Sequence, residues 1–180
     1  AILTMKNKIM DEMMQSGVTV EDPLSTTVYP DAKIGRDTVI HPNTFIGPKV
    51  EIGRNCHIGP FARLTSSVRI GRNVIVGNFV ELVRTSVDDG CRVKHHTYLG
   101  DASLGKRVNI GAGTITANYD GKNKHRTVVR DRAQIGSGTV LVAPVTVGRG
   151  AKTGAGAVVT RGKNIPDRAV VVGVPARKLK

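Results

Sequence analysis

Residues 34–82 read IGRDTVIHPNTFIGPKVEIGRNCHIGPFARLTSSVRIGRNVIVGNFVEL, and one spacing runs through them unbroken. Ile34, Ile40, Ile46, Ile52, Ile58, Leu64, Ile70, Val76 and Leu82 stand six apart. A period of six fits neither a 3.6-residue helix nor a two-sided strand. It fits a three-sided coil, with three short strands to a turn and one inward aliphatic on each side. The small residue four places later, as at Thr38, Thr44, Cys56 and Ala62, faces inward too. Gly, Asn and Asp recur between the strands, where tight corners favour them.

Working outward, the phase shortens by one residue at 82→87 and again at 99→104. It resumes through Val87, Val93, Leu99, then Leu104, Ile110 and Thr116. A last run reads Val129, Ile135, Leu141, Val147, Thr153, Val159, Ile165, Val171. The pattern predicts an all-β chain, a parallel β-helix of roughly seven to eight coils over residues 18–180. Ahead of it, LTMKNKIMDEMMQSG carries Leu3, Ile9, Met10, Met13 and Met14 at helical spacings, with Gly17 as a C-cap. Residues 1–17 are therefore expected to form a short helix that caps the open end of the coil or links it to an upstream domain. The first residue is Ala1, which reads as a piece of a longer chain.

The composition agrees with a thin aliphatic core: three Phe, three Tyr and no Trp. Lys and Arg number 27 against 14 Asp and Glu, a net charge of +13. That balance points to anionic partners. The cations are spread over turn positions without interleaved aromatics, so specific nucleic-acid binding is not expected, and a phosphate-bearing small molecule is. No apolar run reaches the ~20 residues of a membrane span and no signal peptide is visible, which implies a cytoplasmic protein. Cys56 and Cys91 both fall on small inward positions about two coils apart, roughly 9–10 Å, too far for a disulfide. They are expected to be buried free thiols.

The pattern fails in one region. The two phase slips bracket His95 and His96, and ANYDGKNKHRTV (117–128) replaces a whole aliphatic rung, so it should leave the coil as a loop. Sites concentrate where local rules break. Counting from Val93, Thr97 faces inward and His96 outward, while His95 stands at the bend with its direction open. The spacing does not choose between the two histidines.

KHHTYLGDA (94–102), VNIGAGTITANYDGKNKHRTV (108–128) and IGSGTVLVAPVTVG (135–148) resemble the acetyltransferase domain at the C-terminal end of the bifunctional enzymes that make UDP-N-acetylglucosamine. The resemblance extends to MDEMMQSGVTVEDP (10–23). It implies a left-handed parallel β-helix, a homotrimer, and transfer of acetyl from acetyl-CoA to the amine of glucosamine 1-phosphate. It further implies that His95 is the catalytic base, with Tyr98, Asn109 and Lys124 holding the amino sugar. Asn118 and Tyr119 would orient the acceptor and the acetyl group, and Ala112, Ser137 and Ala155 would line the CoA groove. Imidazole suits the task of deprotonating an ammonium near neutral pH. No metal is expected for the transfer.

Three positions depart from that family. Thr65 and Val83 stand where it places the Arg and Lys that bind the acceptor phosphate; nearby Arg63 and Arg84 are the expected substitutes. Its CoA-binding Arg has no counterpart, and Arg177, in VVGVPARK (171–178), is the expected phosphate contact. Two other readings are a nucleotide-linked amino sugar as acceptor, and a trimeric scaffold without catalysis. A metal-dependent carbonic anhydrase on such a coil needs convergent histidines with an H-x-x-x-x-H pair, which these five histidines do not supply. No Gly-rich nucleotide loop is present, so uridyl transfer is not expected.

Overall fold

The computed structural model describes residues 2–179, with side chains from Thr4 onward. Ala1, Lys180 and the Leu3 side chain placed on the expected helix face lie outside the described residues. The chain forms a left-handed parallel β-helix of about eight turns behind one helix. Each turn lays one short strand on each of three faces. The first face runs through Val39–Ile40, His57–Ile58 and Asn109–Ile110, the second through Phe45–Ile46, Arg63–Thr65 and Ile115–Ala117. Glu51–Ile52, Arg69–Ile70 and Ser86–Val87 lie on the third.

Register reports the length of each turn. Val39 pairs with His57 and His57 with Ile75, eighteen residues per step. Ile75↔Arg92 and Arg92↔Asn109 are seventeen apart, which are the two phase slips. Asn109↔Gln134 spans twenty-five, the turn that carries the extruded loop. Each slip removes one residue from the corner between second and third faces. Ser66 and Ser67 both have positive φ there (58° and 64°), whereas Arg84 (49°) and Asp101 (51°) turn the shortened corners alone. In the same turns the strands Ile75–Val83 and Arg92–Gly100 run unbroken round the corner between first and second faces.

The inward residues are buried as the period requires, except Ile34, which is half-buried. Thr116 holds the phase because its hydroxyl has backbone partners: it accepts from the Gly100 N–H at 2.8 Å and lies 3.1 Å from the Gly100 carbonyl. Cys56 and Cys91 are free and buried, with sulfur-to-carbonyl contacts to Gly71 (3.1 Å) and Gly105 (2.9 Å). Burial pushes the Cys91 thiol up to about 11. The corners depart from expectation. Phe61, Phe79, His96, Arg107, Arg132 and Arg168 adopt the left-handed conformation beside the expected Gly, Asn and Asp, at about 1–2 kcal/mol each.

The helix, Ile2–Gln15, ends in a Schellman cap: Val18 N–H bonds to Met13 O and Gly17 N–H to Met14 O, with Gly17 at φ 90°. Met10 is buried and Met13 partly buried against the first turns of the coil. Met14 corrects the helical-face expectation, since it turns to solvent. Among the described residues no helix is long and apolar enough to cross a membrane. The loop after Ala117 is a small hairpin. Tyr119 bridges Lys124, His125 N–H donates to Asn118 O at 2.7 Å, and the Asp120 carboxylate accepts from the Lys122 and Asn123 N–H groups.

Candidate active site

Two residues past each inward aliphatic of the first face, one outward row turns the corner toward the second. Asn78 pairs with His95 in it. Gly113 N–H to His96 O, Gly138 N–H to Ala112 O and Gly156 N–H to Ser137 O carry the same register upward. Ala112, Ser137 and Ala155 therefore continue the row from His95, three turns or roughly 14 Å at ~4.8 Å per turn. The next row outward changes character at the same level. Below and at His95 it holds Phe61, Phe79 and His96; above, it holds Gly113, Gly138 and Gly156, whose missing side chains leave the ledge open.

This geometry separates the two histidines. The His96 ring stacks on Phe79 (centroids 5.0 Å), which stacks on Phe61 (5.2 Å). His95 Nδ1 lies 2.9 Å from Asn78 Oδ1. That oxygen only accepts, so the neutral ring carries its hydrogen on Nδ1 and leaves Nε2 with a lone pair. His95 faces a groove of about 420 Å³ that also borders His41, His57 and Lys94. His41 bonds to Glu21 at 2.9 Å, and His57 lies 3.4 Å from His41. Asn78 is the site residue the sequence reading missed; its signal is its place one shortened turn before His95.

Tyr98 stands on the second face in the row Arg63↔Glu81↔Tyr98↔Ile115. Its hydroxyl lies over Gly100 together with the Asn118 amide: a Cβ there would sit 2.5 Å from one and 2.6 Å from the other. Asn118 is buried and donates to Asp101 Oδ2 at 2.5 Å. Arg84 grips both Asp101 oxygens (2.6 and 2.8 Å), which holds that carboxyl below the usual range. Arg63 keeps the face of Thr65, as strand alternation predicts, and pairs with Glu81 at 2.8 Å. Arg84 does not return to Val83's row; it turns at the corner. Tyr119 and Lys124 are exposed on the hairpin.

One chain thus assembles two groups, the row of His95, Ala112, Ser137 and Ala155, and the cluster of Tyr98, Asn118, Asp101 and Arg84. Asn109 is apart from both, exposed on the first face between Arg92 and Gln134. Arg177 is exposed at the far end, paired with Val172. Asp120 is held well below the carboxylate range, chiefly by the Asn123 N–H, then by His125, the Lys122 N–H and Arg161. Among the described residues no three His, Cys, Asp or Glu side chains gather as metal ligands.

The hexads of the coil are those of the hexapeptide-repeat transferases, and one corner row carries a single histidine, His95. The chain belongs to that family: the model for bacterial transferase hexapeptide, six repeats, matches residues 31–66, 49–84 and 126–161. It is similar to the bifunctional protein GlmU of Rubrobacter xylanophilus, 43% identical over 98% of this chain. The same protein of Fervidobacterium nodosum is 40% identical over 93%. The chain spans 44% of the length of each of these relatives. Among solved structures, the UDP-N-acetylglucosamine acyltransferase of Francisella novicida shares the fold, with a TM-score of 0.57 and 20% identity, over 89% of this chain and 68% of that one.

Proposed function

We propose that the chain is an acetyl-CoA-dependent N-acetyltransferase whose acceptor is an amino sugar phosphate, glucosamine 1-phosphate, on the way to UDP-N-acetylglucosamine. The observation that carries this is His95, tied through Nδ1 to Asn78 at the foot of an open ledge. In this reading Nε2 takes a proton from the acceptor ammonium. The freed amine attacks the thioester carbonyl, the C–N bond forms, and the carbonyl electrons move onto oxygen. The nitrogen of the tetrahedral centre sheds a second proton, and collapse breaks the C–S bond. The departing thiolate takes one of the two protons by way of Nε2 while the other passes to water.

Acetyl-CoA lies along Ala112, Ser137 and Ala155 toward Arg177, and Tyr98, Asn118, Tyr119 and Lys124 orient the acceptor. Asn109 joins them from a neighbouring copy, so a homotrimer is part of the proposal, and so is a cytoplasmic site of action. Residues 1–17 act as the cap and linker of the catalytic coil, residues 18–180.

Thiol release from acetyl-CoA across a panel of amino sugars, with and without 1-phosphate, tests the assignment. Turnover is expected with glucosamine 1-phosphate. Release with none of the panel overturns the transferase reading. Light scattering of the active protein at the mass of one chain overturns the trimer.

A further inference from the structure

The corner between second and third faces carries a cleft of which the reaction above uses only Lys124. Ser67, Arg84, Asp101 and Arg126 occupy equivalent places on four successive turns, as the register Arg69↔Ser86↔Ser103↔Val128 requires. With Arg69 and Lys124 they border a cavity of about 440 Å³. Four cations therefore face one carboxylate. Asp101 is already held by Arg84 on both oxygens and by Asn118 on one. Among the described residues neither Lys124 nor Arg126 has an ion-pair partner, and Arg69 has only the solvent-exposed Glu51 at 3.5 Å. Ser67 and Ser86 line the same wall, the Ser86 hydroxyl donating to Ser103 Oγ at 3.0 Å.

Such a cleft matches a phosphate monoester: a compact dianion, several cations converging on it, and guanidinium forks able to grip it bidentately. Its place also fits. The uncharged pair Thr65 and Val83 lies on the second face two residues before Ser67 and one before Arg84, and Val83 pairs with Gly100 under the Tyr98 hydroxyl. Arg63 faces Glu81 and Arg84 faces Asp101, so each already has a carboxylate beside it. We infer that the acceptor's phosphate is held at this corner by Arg69, Lys124 and Arg126, with Arg84 ordering Asp101 and Asn118 behind them. This rests on the acetyl-transfer reading for the identity of the ligand, though not for the existence of the site.

The test is titration calorimetry of wild type and of an Arg69→Gln/Arg126→Gln variant with glucosamine 1-phosphate, glucosamine, CoA and 3′-dephospho-CoA. Both arginines are exposed, so the variant keeps the coil. Affinity for glucosamine 1-phosphate is expected to fall by about 100-fold, the scale of two lost charge-assisted contacts, with CoA unaffected. Unchanged affinity for the sugar phosphate overturns the inference. So does a loss confined to CoA and absent with 3′-dephospho-CoA, which makes the cleft a cosubstrate site. A wild type that binds the sugar phosphate through these arginines yet releases no thiol overturns acetyl transfer and leaves the cleft standing. Turnover with an unaltered KM in the variant does the reverse.

Discussion

A single methyl group added at Gly100 probes the proposed acceptor site beside Tyr98 and Asn118. Gly100 is not among the residues with positive φ, so Ala meets no backbone strain there. The new Cβ would lie 2.5 Å from the Tyr98 hydroxyl, 2.9 Å from its Cζ and 2.6 Å from the Asn118 amide nitrogen. Ordinary contact begins near 3.4 Å, so the hydroxyl must retreat about 0.9 Å and the amide about 0.8 Å. The three nearest atoms all belong to side chains, so the coil yields by moving them. The stability loss should be about 1 kcal/mol, the middle of the range for point substitutions, or roughly 2–4 °C in Tm for a chain of this size. Catalysis pays more, because a misplacement near 1 Å of a positioning group costs on the order of 10²-fold. In the thiol-release assay Gly100→Ala should lower kcat/KM for glucosamine 1-phosphate by about that factor, and circular dichroism should report a nearly native melt. An unchanged kcat/KM would refute the placing of Tyr98 and Asn118 on the acceptor. A collapse of the melt would show that Gly100 serves the coil instead.

His95→Ala should lower kcat by roughly 10²–10⁴-fold with acetyl-CoA binding retained, whereas His96→Ala, which trims the Phe79 stack, should change kcat little. Asn78→Leu should lower kcat more than it raises KM, since it frees the His95 ring without touching substrate; steady-state kinetics of the three variants decides. The carboxyls of Asp101, held by Arg84, and Asp120, held chiefly by the Asn123 N–H, have folded values below the ordinary 3.8. Their contribution to stability is therefore complete above that value and is lost as pH falls below it. The hydrogen-exchange protection factors of the 118–125 hairpin should fall as pH drops below about 4, and protection factors that stay constant there refute the anchoring role of Asp120.

What the sequence determined by itself was the coil. Desolvation acts on each residue separately, so a six-residue beat of aliphatics from Ile34 to Leu82 specifies which side chains go inside and how many faces there are. The same reasoning reached the free thiols and the loop after Ala117, because each marks a place where the inward beat is kept by a small residue or abandoned. The outward surface obeys no such rule. Which side chains meet there depends on how many residues each turn consumes, and turns of eighteen, seventeen and twenty-five residues bring together Asn78 with His95, Arg84 with Asp101, and Asp101 with Asn118. His95 and His96 were adjacent and equivalent as letters. Only the folded chain separated them, by stacking one ring on Phe79 and tying the other to a carbonyl oxygen, because hydrogen-bond partners are chosen by distance in space and not along the chain.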